Sequence, residues 1–499
     1  MLLRMRGRHP TGEGGMRGPD LRPSLCESGR SPRLGAGKLA RARSPSSSIP
    51  RELEARDEKR VNHELAVLGH QQGLPWRTVL LVAAVFFIAD HDLFVSLHEG
   101  FISATGIIVD QAREGSLQRR AAFSVLGFFG AVGLMRRGQH RLTLNGILAW
   151  LILFFVAWAS LSVTWAEDIA FTLRRTTVFW FLCLGALAVG KHLSVRDVIL
   201  CVFYTTGLYV LIGVGCELIL HTFHPFAPGY RFAGTEQPNA QGMNCVLLAL
   251  TALAMSRLSR RKSWFFLLCT LAALACLVLS GSRAALAGGI AGLVVYWALM
   301  LPRYVKIAWL LGVSAVICLL ALVAGDSLAT GLGHGALLGR TDADLPSLAG
   351  RIPLWKDILS YAAERPLHGY GYNGFLTPSR IAEIATTQRW GFFQVHSAYL
   401  ELLLGIGLIG VTSFVLILAL AMRESARRYR VSLNPAYACL AAILAFSLIQ
   451  GVLESMVVSS TLLSFVVLVV LAHVAFAVPH DGHRPVLSGA TDACLLGAR

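Results

Sequence analysis

Apolar residues in this chain run rather than alternate. Twelve stretches come near the ~20 residues that an α-helix needs to cross about 30 Å of hydrocarbon. They lie at 76–96, 121–135, 142–163, 173–190, 197–220, 241–256, 264–280, 284–301, 306–325, 396–422, 435–453 and 460–478. The pattern predicts an all-α polytopic membrane protein with about 12 transmembrane helices over 75–478, preceded by an extension over 1–74 and followed by a tail over 479–499. Most joints between the stretches are short. Residues 326–395 instead form a polar loop far longer than a connection requires, and such loops carry function.

Lys and Arg fall in every second joint: Arg136, Arg137 and Arg141; Lys191 and Arg196; Arg257, Arg260, Arg261 and Lys262; Arg303 and Lys306; then Arg423, Arg427, Arg428 and Arg430. Short basic loops stay in the cytoplasm, so both termini and these five loops are expected there. The joints at 164–172, 221–240, 281–283, 326–395 and 454–459 are then outside.

Composition excludes several classes. Apolar residues make up 55% of the chain, charged residues 15%, and mean hydropathy is +0.58, which no soluble globule of this size tolerates on its surface. The net charge of +16 reflects the basic joints and the first sixty residues, where fourteen Lys/Arg face seven Asp/Glu; it implies no nucleic acid partner. That first segment, rich in Arg, Gly, Pro and Ser, is expected to be a disordered cytoplasmic extension, and it lacks the apolar core of a secretory signal. Of ten cysteines, eight lie in expected spans and Cys26 and Cys494 in the tails, so neither a disulfide framework nor a zinc site is implied.

Four outward residues are chemical candidates. Arg231, in Tyr230-Arg-Phe-Ala-Gly-Thr-Glu-Gln-Pro238-Asn239, precedes a turn and a helix start; an interfacial anchor with Asn239 as helix cap fits there, and so does an anion ligand. Arg283 follows Ser280-Gly-Ser between two spans, close to membrane depth, where charge is costly and faces a cavity or pairs with an acid of a neighbouring helix. Backbone N–H groups of that turn could hold an anion beside it. Arg351 opens a segment whose apolar positions Ile352, Trp355, Ile358, Leu359 and Ala362 predict an amphipathic helix over 351–364 lying on the outer leaflet. His396 opens the tenth span. An imidazole at such a mouth can take a proton from a hydroxyl, and Glu401, one turn on, is placed to orient it. His221, His224, His334 and His368 also face outward, so spacing alone does not choose among the histidines.

Two patterns are set aside. Gly369-Tyr-Gly371-Tyr-Asn-Gly374 matches G-x-G-x-x-G without the strand and βαβ unit that a dinucleotide site needs. Asp342-Ala-Asp344 has no further ligand cluster to hold a metal, and none is expected.

Taken in order, Trp165-Ala-Glu-Asp, Arg231-Phe-Ala-Gly-Thr…Pro238-Asn239, Ser280-Gly-Ser-Arg283, Gly350-Arg351…Trp355…Pro366…Gly369-Tyr-Gly371…Phe375 and His396-Ser…Leu400…Gly405…Gly407…Gly410 resemble the O-antigen ligase and polysaccharide polymerase superfamily of bacterial envelopes. The likeness runs from Leu142 to Ala475, and the basic extension has no counterpart in it. It implies an inner-membrane glycosyltransferase with its site facing the periplasm. The implied reaction moves a glycan from an undecaprenyl-diphosphate carrier to a glycan or lipid A-core acceptor, inverting at the anomeric carbon, without metal or cofactor. The resemblance places diphosphate binding on Arg231 and Arg283 and, at a further motif position, on Arg351, and the general base on His396.

Those residue types suit that chemistry on their own terms. Guanidinium groups neutralise a departing diphosphate through bidentate contacts, and a positioned base activates a poorly nucleophilic sugar hydroxyl. Ligase, polymerase and protein-glycosylating members differ in acceptor, and the blocks around Trp355 and His396 are closer to exopolysaccharide polymerases. The competing class is a membrane transporter of a small anion or glycan, in which the arginines form a selectivity site.

Overall fold

A computed structural model describes residues 75–95, 116–144, 146–227, 229–301, 351–388 and 394–479. The extension, the ninth expected span at 306–325, His334, Asp342, Asp344 and the tail beyond Pro479 lie outside the described residues. The path runs α1 (Trp76–Val95), α2 (Leu117–Met135), β1 (His140–Leu142), α3 (Gly146–Leu161) with a 3-10 turn (Ser162–Trp165), α4 (Ile169–His192), α5 (Val195–Ile219), α6 (Pro238–Leu258), α7 (Ser263–Leu279) and α8 (Arg283–Met300). It continues through α9 (Arg351–Glu364), α10 (Pro378–Gln388), α11 (Ala398–Ser432), α12 (Pro435–Leu453), α13 (Leu462–Ala475) and β2 (Ala477–Pro479).

Every expected span on described residues coincides with a helix, α1–α8 and α11–α13. Among the described residues, seven helices are long and apolar enough to cross a membrane: α3 with its turn, α4, α5, α7, α8, α11 and α12. The chain is a multi-pass helical membrane protein. Of the others, α6 carries polar residues and α13 is apolar but short, for a physical reason. Every α6 residue from Gln241 to Ser256 is buried, and so is nearly all of α13, which has only 14 residues. Neighbouring helices, not lipid, are their solvent, so α6 tolerates Gln241, Asn244, Thr251 and Ser256. Helix α12 packs on α6, α8 and α11 and completes this centre.

Polar caps set where helices start, four residues before the apolar run in α4 and at its first residue in α12. Asp168 accepts from the Phe171 amide (2.8 Å) to start α4, and Asn434 from Ala436 (3.0 Å) to start α12. One element was not expected: β1 and β2 form a two-stranded antiparallel ribbon, His140 opposite Pro479, that ties the joint after α2 to the end of α13. Arg428, late in α11, donates to the Val474 carbonyl (2.6 Å) beside this ribbon, and Lys191 donates to Leu134 at the end of α2 (2.5 Å). Basic residues thus gather at the end of α11 opposite His396.

Helix α11 is broken. Ile406 and Gly407 leave helical geometry, with Gly407 at φ 67° and ψ −170°. A break at such depth strands carbonyls where water is scarce, and the glycine-rich turn answers it. The Tyr370 amide donates to Leu404 (2.7 Å), Gly371 to Gly405 (2.8 Å) and the Trp158 indole to Ile406 (3.0 Å), while the Leu408 amide donates to Pro366 (2.8 Å). The G-x-G-x-x-G pattern is therefore a backbone clasp on α11. Arg380 locks the clasp from outside: it donates to both Glu167 oxygens (2.8–3.2 Å) and lies over the Tyr361, Tyr370 and Phe375 rings.

A Cβ at Gly407 would fall inside contact distance of the Leu367 carbonyl, and its φ/ψ belongs to glycine alone. Gly407→Ala is expected to cost about 1–3 kcal/mol or more of stability, read as a lowered Tm in detergent, whereas Gly215→Ala, with nothing within 4 Å, serves as the neutral control.

Candidate active site

The site forms where α6, α8, α9 and α11 begin and α12 ends. Each sequence candidate arrives on its own local device. Arg231 lies in the joint after α5, which is held by two contacts: Phe232 donates to the Leu279 carbonyl (2.8 Å), and Glu217 Oε1 accepts from the Ala233 (3.0 Å) and Gly234 (2.8 Å) amides. From there Arg231 Nε donates to the Ser280 carbonyl (3.0 Å) and Nη2 to Asn239 Oδ1 (2.9 Å). Gly281, at φ 60°, permits this approach, because a Cβ there would stand 3.2 Å from Arg231 Nε.

Arg283 is the first residue of α8, directly after the turn that accepts Arg231. Ser282 caps that helix. Arg283 is half-buried and, among the described residues, has no hydrogen-bond or ion-pair partner, so the expected alternative of a neighbouring acid is not realised there.

Arg351 opens α9, which has the expected boundaries but a rotated buried face. Leu354, Ile358 and Ala362 point inward against Tyr370, Phe375, Ile384 and Val395, while Leu359 is 50% exposed. Of the expected stripe, Ile358 and Ala362 are buried and Ile352 and Trp355 half-buried, while Leu359 turns outward and Leu354 takes its place because α9 docks on the clasp and α11. Arg351 Nη2 donates to Glu454 Oε1 (2.8 Å), and Nη1 to the Leu453 carbonyl.

His396 sits at φ 59°, a left-handed conformation that is costly for histidine and is held from both sides. Before it, the Val395 carbonyl accepts from the Trp355 indole (2.9 Å) and the Val395 amide donates to Glu401 (3.1 Å). After it, the Ser397 amide donates to Ser455 Oγ (3.1 Å). Its Nδ1 faces Gln394 (3.2 Å) and Glu454 Oε2 (3.6 Å). Glu401 thus caps the turn that presents His396, and the carboxylate facing the ring is Glu454.

Glu454 is the residue that the sequence reading passed over. Its side chain is 1% exposed, and it accepts from Asn239 Nδ2 (2.7 Å) and Arg351 while facing His396. Asn239 therefore relays Arg231 to the carboxylate; it does not cap α6, which begins at Pro238 after an uncapped Gln237. The signal was available: a carboxylate in Gly-Val-Leu-Glu454-Ser-Met-Val-Val stands at membrane depth, where charge marks function as it does for Arg283. Three candidates from distant stretches, Arg231, Arg351 and His396, meet through this one group, and Arg283 stands on the adjoining turn. Among the described residues no three His, Cys, Asp or Glu side chains gather to hold a metal ion.

Burial alone would raise the Glu454 carboxyl, but His396 and Arg351 outweigh it and hold the group below the ordinary carboxylate value. A depressed carboxylate stabilises the fold above its unfolded pKa, and that contribution is lost as pH falls through the folded one. Acid unfolding of the wild type should therefore include a step below pH 4.5 that is absent in Glu454→Gln. Glu454→Ala, which strands Arg351, should cost about 3 kcal/mol or more in denaturant titrations.

Residues 267–415 match the family model described as O-antigen ligase, a span that includes Arg283, Arg351 and His396 and is flanked by Arg231 and Glu454. No curated protein matches the chain. Residues 267–415 of this multi-pass membrane protein thus resemble an O-antigen ligase domain.

Proposed function

We propose that this protein transfers a glycan from an undecaprenyl-diphosphate carrier to an acceptor hydroxyl on the periplasmic face of a bacterial inner membrane, as an O-antigen ligase or polysaccharide polymerase. The observation that carries the reading is the convergence of Arg231, Arg351 and His396 on buried Glu454, beside Arg283. The basic joints support the orientation, since they gather at the end of α11 away from His396 and short basic loops stay in the cytoplasm.

In the reaction, the acceptor oxygen attacks the anomeric carbon from the face opposite the carrier. The new C–O bond forms as the bond to the diphosphate breaks, and the diphosphate leaves with the electron pair. Arg231, Arg283 and the amide-bearing start of α8 stabilise that growing charge. Arg351 adds to the field while its guanidinium contacts stay on Glu454 and Leu453. The acceptor proton passes to His396. Glu454 Oε2, 3.6 Å from Nδ1, favours a proton on that nitrogen, which leaves the lone pair on Nε2 as the base. No step needs a metal.

A transporter would use unpaired carbonyls of a broken helix to bind its solute. In α11 the carbonyls of Leu404, Gly405 and Ile406 are all taken by the clasp and Trp158, which favours the enzyme.

The test uses purified protein in liposomes with a lipid-linked glycan donor and no ion gradient. Glycan transfer is expected, with kcat falling about 10²–10³-fold in Arg231→Ala and Arg283→Ala. For His396→Ala the expected fall is about 10²–10⁴-fold at unchanged donor affinity. Solute flux without product, or full activity in all three variants, would overturn the reading.

A further inference from the structure

A second group of cations stands on the same end of the molecule, outside the network around Glu454. Arg174 and Arg175 lie in the second turn of α4, one of the seven apolar spans, and both are exposed. Their guanidinium carbons stand 5.6 and 4.7 Å from the centre of a single ring, Phe171, so two like charges are gathered at one aromatic side chain. Arg119, in the first turn of α2, joins them where α2 packs along α4, and its Nη2 donates to the Ser460 carbonyl (3.4 Å). Among the described residues neither Arg119 nor Arg175 is in an ion pair.

Like charges held together within a membrane-spanning helix are expensive, and such residues mark a path or a ligand. Arg175 is repelled by Arg119 and Arg174 and attracted by Glu401, the carboxylate that accepts from Val395 beside His396. Two acids near His396 thus lead to two cationic groups: Glu454, facing its ring, to Arg231 through Asn239, and Glu401, holding the preceding amide, to Arg175. The chain itself bounds their separation. Glu454 belongs to the first region and the Ser460 carbonyl holds Arg119 in the second; those few extended residues reach at most about 20 Å.

We propose that Arg119, Arg174 and Arg175 form a second anion site, which binds the phosphate or diphosphate of a lipid-anchored acceptor while the first holds the donor. This rests on the glycosyl-transfer reading above. A reaction between two membrane-anchored glycans has a headgroup to hold on each side of the base, and guanidinium pairs suit phosphate through bidentate contacts. The ring of Phe171 keeps the pair in place when the site is empty.

The experiment uses the full chain in phosphatidylcholine nanodiscs with farnesyl diphosphate as probe, followed by calorimetry. Wild type should bind two equivalents, and both Arg119→Ala/Arg175→Ala and Arg231→Ala/Arg283→Ala should bind one. Arg119→Lys/Arg175→Lys, which keeps the charge, should retain two and exclude misfolding as the cause. In transfer assays the first double variant should raise the acceptor KM about tenfold or more, with the donor KM unchanged. A single equivalent in wild type, or two in Arg119→Ala/Arg175→Ala, would overturn the second site. Two equivalents in Arg231→Ala/Arg283→Ala would instead count against the donor site. Loss of the second equivalent when phosphatidylglycerol replaces phosphatidylcholine would assign the patch to bilayer headgroups and also overturn the proposal.

Discussion

A carboxylate buried where four helices begin is the constraint around which this molecule is arranged. Helix N-termini carry partial positive charge, and α6, α8, α9 and α11 all start near Glu454, with Arg231, Arg283 and Arg351 added. Such a concentration repels itself. Glu454 compensates it from the centre, and its own desolvation is offset by Asn239, Arg351 and His396 together. Neither half is tolerable alone in a low-dielectric setting, so charge and fold specify each other here.

The supporting structure is correspondingly stiff. Val395 is fixed through both its amide and its carbonyl, Ser397 through its amide, and the strained residue between them has little freedom to relax. The broken stretch of α11 is clasped by the Pro366–Gly371 turn, which Arg380 and Glu167 fasten to the start of α4. Reactive groups held by rigid neighbours need little reorganisation as charge develops, which is the main way a site without covalent intermediates accelerates transfer.

Much of this was legible in the residues. Apolar run length located a helix at every expected span on the described residues, seven of them long and apolar enough to cross a membrane, and helical spacing gave the extent of α9. The inward face of α9 was misread because its partners, the clasp and α11, are distant in sequence and reward Leu354 over Leu359. Arginines at membrane depth could be recognised from their cost alone. Glu454 is a lone carboxylate whose partners are all distant in sequence, and Asn239 beside Pro238 suggests a cap although its real partners lie elsewhere in the fold. Pairings of that kind come from topology, which no local window contains.

The short helix α9 has one more implication. Its first residue grips the central carboxylate and its fifth grips the peptide that presents the imidazole, while Leu359 on its opposite side faces out. Pressure on that outer side therefore moves Glu454 and His396 together, as a single lever. Under the proposed reaction, this couples the alignment of the reacting groups to whatever surrounds α9.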